Sequence, residues 1–151
     1  MDDENRLIEE LRLIVGGDDS LARQARRIAG AIRSAGRYRW VGVYEVTAKE
    51  IAILGYAGDA EPAHPRFPRT QGLCGAAVAS GETVVVGDVT ADPRYLTTFG
   101  STRSEIVVPI LRAGAVVGVL DVESDRSEAF GHDDRAQLEV AATLLATEWD
   151  A

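Results

Sequence analysis

RSEIVVPILRAGAVVGVLDVES, residues 103–124, decides the fold. Two apolar runs flank Ala113-Gly114, the pattern of a β-hairpin. A two-residue type I′ turn needs positive φ at Ala113, which its Cβ disfavours. A three-residue loop closed by Gly114 in the left-handed region is therefore the expected connection. It pairs Glu105 with Asp121 and puts Ile106, Val108 and Ile110 on one face with Val116, Leu120 and Val122. The opposite face carries Val107, Pro109, Val117 and Val119 and ends in three carboxylates, Glu105, Asp121 and Glu123. The two-residue turn would instead place Asp121 and Glu123 among the isoleucines, where unpaired charge is costly.

Outward from this hairpin, the N-terminal side begins with a helix over 3–15, whose Leu7, Ile8, Leu11, Ile14 and Val15 form one stripe. Gly16-Gly17 ends it. Asp18-Asp19-Ser20 then supplies N-cap chemistry for a second helix that stops at Gly36. Strands follow at 38–46 and 51–56, the first with Val41 and Val43 on one face and Trp40, Gly42 and Tyr44 on the other. Residues 57–71 lose periodicity and contain Pro62, Pro65 and Pro68, the mark of a long functional loop. A short helix at 72–80, a strand at 83–86 and a second long loop at 88–102, poor in apolar residues, lead into the hairpin. A helix at 133–149 closes the chain, with Leu138, Ala141, Ala142, Leu145 and Trp149 inward.

This order implies an α+β fold, with an antiparallel sheet of five or six strands and the terminal helices on one face. The other face, roofed by two loops and a short helix, is left for a pocket. The 151 residues, 46% of them hydrophobic, suit one domain over 1–151. A net charge of −8 argues against nucleic acid as a partner. No signal peptide or membrane-length apolar run is seen, so a cytoplasmic location is expected and no membrane partner. The arginines at 23, 26, 27, 33, 37 and 39 read as a solvated face making ion pairs. The terminal helices carry more apolar surface than such a sheet covers, which predicts a homodimer through the helix at 3–15.

The only cysteine, Cys74, lies near the start of its short helix, where free N–H groups favour a thiolate. The plainer reading, which we prefer from these residues, is a small side chain packed among Ala76, Ala77 and Val78. The three carboxylates read as a cation site, as a group that recognises an ammonium, or simply as charged strand ends in solvent. Like charges facing each other at Glu105 and Asp121 destabilise a sheet, and a positively charged ligand group would relieve that repulsion. Oxygen-only metal binding is a further reading, but no Asp-rich loop accompanies it. No metal and no cofactor are expected. Trp40 and Tyr44 read either as a pocket wall or as ordinary sheet aromatics. His64 and His132 lack zinc spacing, and there is neither a Gly-rich phosphate loop nor a nucleophile elbow.

RWVGVY at 39–44, GLCG at 72–75, RSEIVVP at 103–109 and GVLDVES at 118–124 resemble the GAF domain. Within it, they are most similar to the free methionine-(R)-sulfoxide reductases. That resemblance implies a pocket in which Trp40 and Tyr44 meet the ligand's side-chain end. Glu105 and Asp121 would meet its polar groups, the ammonium among them, and Glu123 stands where Asp is usual. It also implies three working cysteines, of which only Cys74 is present; Thr98 occupies the attacking position and His64 another. A threonine hydroxyl lacks the nucleophilicity and redox chemistry of a thiolate. The expected function is thus a non-catalytic, ligand-binding GAF domain, a sensor or signalling module for an amino-acid-like molecule with an ammonium group. The rival is a reductase working through Cys74 with an external thiol, and a third reading is an interaction module that binds nothing.

Overall fold

The computed structural model describes residues 2–149. Eleven elements occur in the order α1 (Asp3–Val15), α2 (Leu21–Gly36), β1 (Trp40–Val46), β2 (Glu50–Ala57), β3 (Arg66–Pro68), α3 (Gly72–Ser80), β4 (Val84–Val86), a 3₁₀ turn (Val89–Ala91), β5 (Ser104–Arg112), β6 (Ala115–Ser124) and α4 (His132–Thr147). The strands form one antiparallel sheet in the order β3-β2-β1-β6-β5-β4. This is the α+β architecture expected from the sequence.

Helix starts follow the capping chemistry. Asp2 accepts a hydrogen bond from the Asn5 amide at 2.8 Å, and Ser20 accepts one from the Arg23 amide at 3.3 Å. α1, α2 and α4 cover one sheet face, where Val41, Val43, Ile106, Val108, Ile110, Leu120 and Val122 bury against Leu11, Ile28, Ile32, Leu138 and Leu145. On the other face Trp40, Tyr44, Val107 and Val119 pack against Leu73, Cys74 and Ala77 of α3.

The hairpin keeps its overall parity, but its turn differs from the expected one. Ala113 (φ 51°) and Gly114 (φ 82°) are both left-handed, and Arg112 pairs with Ala115. This is the two-residue connection that the Cβ of Ala113 argued against. A bulge then inserts Val117, because Ile110 pairs with Gly118 while Leu111 pairs with Val116. The extra residue undoes the face reversal that the tight turn imposes. The carboxylates accordingly remain off the isoleucine face, but Val116 and Val117 exchange sides: Val117 packs with the helix-covered core and Val116 with the other. The pairing also moves, so that Glu105 faces Glu123, and Asp121 faces Val107 and Gly42.

Two further expectations change. The stretch 57–71 contains β3, which pairs with β2 through Ile51 and Phe67; its proline sits on the sheet edge, where a missing N–H costs no ladder bond. The apolar surplus of the terminal helices is absorbed within the chain. Leu7, Leu11, Ile14 and Trp149 are all buried, and Leu13 is the large apolar side chain of α1 left exposed. The argument for a dimer through α1 thereby loses its premise.

Trp149 reaches back over Gly118. A methyl group there would lie 2.6 Å from the indole and 2.7 Å from the Tyr44 carbonyl oxygen. Gly118→Ala is expected to lift the end of α4 from the sheet and lower stability by about 1–3 kcal/mol, read as a lower urea midpoint at unchanged slope. An unchanged midpoint would show that the contact is not needed for folding.

Candidate functional site

The pocket-side face carries an acidic corner. Across the sheet, one row reads Trp40, Glu123, Glu105 and Val86, and the next Gly42, Asp121, Val107 and Val84. Glu105, Asp121 and Glu123 are 5%, 2% and 0% exposed, so all three carboxyl groups sit in the interior. Among the described residues, none of the three makes an ion pair. Glu123 Oε1 accepts from the Thr102 hydroxyl at 2.8 Å and from Tyr95 at 3.5 Å. Glu123 Oε2 and Asp121 Oδ1 are buried without a hydrogen-bond partner.

Burial of like charges raises every acid in the corner. Desolvation pushes Asp121 up to about 6, although hydrogen bonding with Glu105 and Glu123 works the other way. Glu123 rises to about 8 through desolvation and the nearby Asp121 charge, against hydrogen bonds from Thr102, Tyr95 and Thr98. Glu105 is driven well above the usual carboxylate range by desolvation, then by Asp121 and Glu123. The phenol of Tyr95 rises to about 12, first by burial and then by Glu123.

Cys74 faces this corner from α3. It is 4% exposed, and burial followed by the charges of Asp121, Glu105 and Glu123 pushes its thiol well above its ordinary value. Desolvation and the three carboxyl groups thus work against the helix N-terminus and disfavour the thiolate.

A cavity of about 20 Å³ lies between these groups, lined by Tyr44, His64, Phe67, Leu73, Cys74, Leu96, Thr98, Glu105 and Asp121. The structure thus brings five of the candidate ligand-binding residues, Tyr44, His64, Thr98, Glu105 and Asp121, to one cavity with Cys74. Trp40 and Glu123 sit behind this lining. The Trp40 ring lies over Gly42, where a methyl group would run into the indole, and it stacks on Tyr56 at 6.0 Å and meets Phe99 at 5.6 Å. Its indole N–H donates to the Ala60 carbonyl at 3.2 Å.

The sequence reading missed Thr102, Tyr95, Leu96, Phe99 and Phe67. The loop at 88–102 is not apolar-poor where it matters, since Tyr95, Leu96 and Phe99 are large apolar side chains that turn inward. Arg39 fastens both loops from one point. Its guanidinium donates to Ser101 Oγ at 3.1 Å, pairs with Asp59 at 3.4 Å and lies over the Phe99 ring at 5.5 Å. Other arginines of the basic stretch pair within the chain as well, Arg27 with Asp19 and Arg33 with Asp59.

The GAF domain family model matches residues 19–149, nearly the whole of this fold. The chain belongs to the GAF domain family. GAF domain-containing protein A of Dictyostelium discoideum is 32% identical over 143 residues, 94% of this chain and 89% of that one. The free methionine-R-sulfoxide reductase of Saccharomyces cerevisiae is 37% identical over 110 residues, 70% of this GAF domain and 60% of the yeast protein. The X-ray structure of the Neisseria meningitidis free methionine-R-sulfoxide reductase in complex with its substrate aligns with a TM-score of 0.89 at 31% identity, over 96% of this chain and 87% of that one. This GAF domain is thus related to free methionine-R-sulfoxide reductases. Among its described residues, no helix is long and apolar enough to cross a membrane.

Proposed function

We propose that this GAF domain binds a small, ammonium-bearing, amino-acid-like ligand without transforming it. The carrying observation is the acidic corner: three interior carboxyl groups, none ion-paired among the described residues, two with an unpartnered oxygen. An isolated protein gains nothing from burying such groups unpaired, and a cationic ligand group offsets the cost. Glu105 and Asp121 line the cavity and would take the ammonium; Tyr44 and Phe67 would face the ligand's apolar part. The Neisseria relative, whose structure contains its substrate, supports small-molecule binding by this fold.

The space present is that of about one water molecule. An amino-acid-sized ligand therefore enters by displacing Leu96, Thr98 and His64, which come from the two loops. Against chemistry stand the suppressed thiol of Cys74 and a hydroxyl at Thr98.

The reductase reading keeps one specific support, that Cys74 shares the cavity with Glu105 and Asp121. In that case the thiol would take the sulfoxide oxygen as a sulfenic acid and release the sulfide. An external dithiol would return it to the thiol, giving water and a disulfide. Calorimetry with methionine-(R)-sulfoxide, beside a turnover assay with a dithiol reductant, tests both. The expected result is saturable binding without methionine formation. Multiple turnovers that vanish in Cys74→Ser would establish the reductase, and no heat with methionine-(R)-sulfoxide, methionine or lysine would overturn the ligand-binding reading.

A further inference from the structure

We infer that the closed cavity is also a site for a thiophilic divalent cation, held by the sulfur of Cys74 and the carboxylates of Glu105 and Asp121. The three come from separate elements, α3, β5 and β6, and converge from two sides of the cavity. One donor atom from each lies within 4.8 Å of the others, and all three residues are more than nine-tenths buried. Small adjustments of these side chains bring such atoms to the 2.0–2.3 Å (approximate) bond lengths of zinc to oxygen and sulfur.

Two independent observations point to an occupant rather than to a chance cluster. Asp121 lines the cavity, and its Oδ1 is buried without a hydrogen-bond partner. The cavity itself holds a body about the size of one water, which suits an ion while both loops stay closed. The organic ligand proposed above needs those loops displaced.

The donor set selects the metal. One thiolate with two carboxylates favours Zn²⁺, Cd²⁺ or Co²⁺ over Mg²⁺ and Ca²⁺, which take oxygen ligands. Three protein ligands leave a fourth tetrahedral position for water within a cavity that Thr98 and His64 also line. Binding displaces to solvent the thiol proton and any proton held by Glu105 or Asp121, and forms the metal–sulfur and metal–oxygen bonds with no change in oxidation state. The oxygen-only site weighed from the sequence lacked the sulfur that β-sheet register and α3 together bring to the acidic corner. The ion and the ammonium group would share Glu105 and Asp121, so the two occupants exclude each other.

The test is a Co²⁺ titration of the full chain, with a phosphine reductant to keep Cys74 reduced. One equivalent of Co²⁺ should produce a thiolate-to-cobalt charge-transfer band in the near ultraviolet, and one equivalent of Zn²⁺ should abolish it. Cys74→Ser should lose the band, and Asp121→Asn should weaken cobalt binding at least tenfold. Saturation without a charge-transfer band, or the same spectrum from Cys74→Ser, would overturn the inference. Should Cys74→Ser not fold, presence or absence of the band in the wild-type protein still decides. A protein that binds the amine but not cobalt refutes the metal site alone. One that binds cobalt but no amine refutes the organic-ligand reading alone.

Discussion

Asp121→Asn is expected to stabilise the ligand-free protein while weakening its hold on an ammonium-bearing ligand. The native carboxylate is buried with one oxygen unpartnered and stands in an acidic corner of like charge. An amide of the same shape removes that charge and gives Glu105 a donor. The gain should be about 1–2 kcal/mol, a melting temperature higher by roughly 3–8 °C. Ligand affinity should fall by about 1.5–3 kcal/mol, or roughly 10- to 150-fold, because a charge-assisted contact to the ammonium is lost. Opposite signs in thermal melting and calorimetry identify a residue kept for binding at a cost to the fold. A lower melting temperature in Asp121→Asn would mean that the charge is structurally paired in a way the corner does not reveal.

Ligand-free protein should also lose stability as the pH rises across the neutral range. Glu105, Asp121 and Glu123 all have folded pKa values above their unfolded ones, to about 6 for Asp121 and about 8 for Glu123. Folding therefore favours their protonated forms. Their stabilising contribution is fully present below about pH 4 and is lost progressively as the pH climbs through 6 to 8. At about 1.4 kcal/mol per pKa unit, the loss between roughly pH 5 and pH 8 should be on the order of 3–5 kcal/mol. Asp88 and Asp92 act in the opposite sense, since hydrogen bonds from Thr90 and from Arg94 lower their pKa values, and their contribution fades as the pH falls below the normal carboxylate range. The melting temperature should thus peak near about pH 5, and ligand or Zn²⁺ should raise it most at alkaline pH. A melting temperature that is flat or rising from pH 5 to 8 would show that the corner is not buried without a cation in solution.

Much of the fold was legible because its signals are local. The stripe Leu7, Leu11, Ile14, the capping residue Ser20 and the stop at Gly36 placed α1 and α2, and alternation placed Trp40 and Tyr44 opposite Val41 and Val43. The hairpin shows where such reasoning stops. Side-chain alternation reports parity, and the tight turn with its bulge at Val117 has the same parity as the three-residue loop. Faces were therefore readable for Glu105 and Asp121, whereas the partner of Glu105 was not. Thr102 and Tyr95 were invisible for another reason. Nothing in an aperiodic loop tells which hydroxyl will reach Glu123, because the loop's path is set by Phe99 packing on Trp40 and by Arg39. The depth of burial at Cys74 followed from α3 lying flat on Val107 and Val119, a tertiary contact its nine-residue sequence does not encode.

Arg39 is the covalent neighbour of Trp40, and it joins Asp59, Ser101 and Phe99 in one cluster. On the ligand-binding reading proposed above, a guest enclosed beneath those loops would leave only once several individually weak contacts on one guanidinium had been broken in the same opening event. Its dwell time would then be set by a group that does not line the cavity. Affinity and lifetime would be separately adjustable in such a design, the first through the acidic corner and the second through the rim ion pairs that Asp59 makes with Arg39 and Arg33, which added salt would loosen.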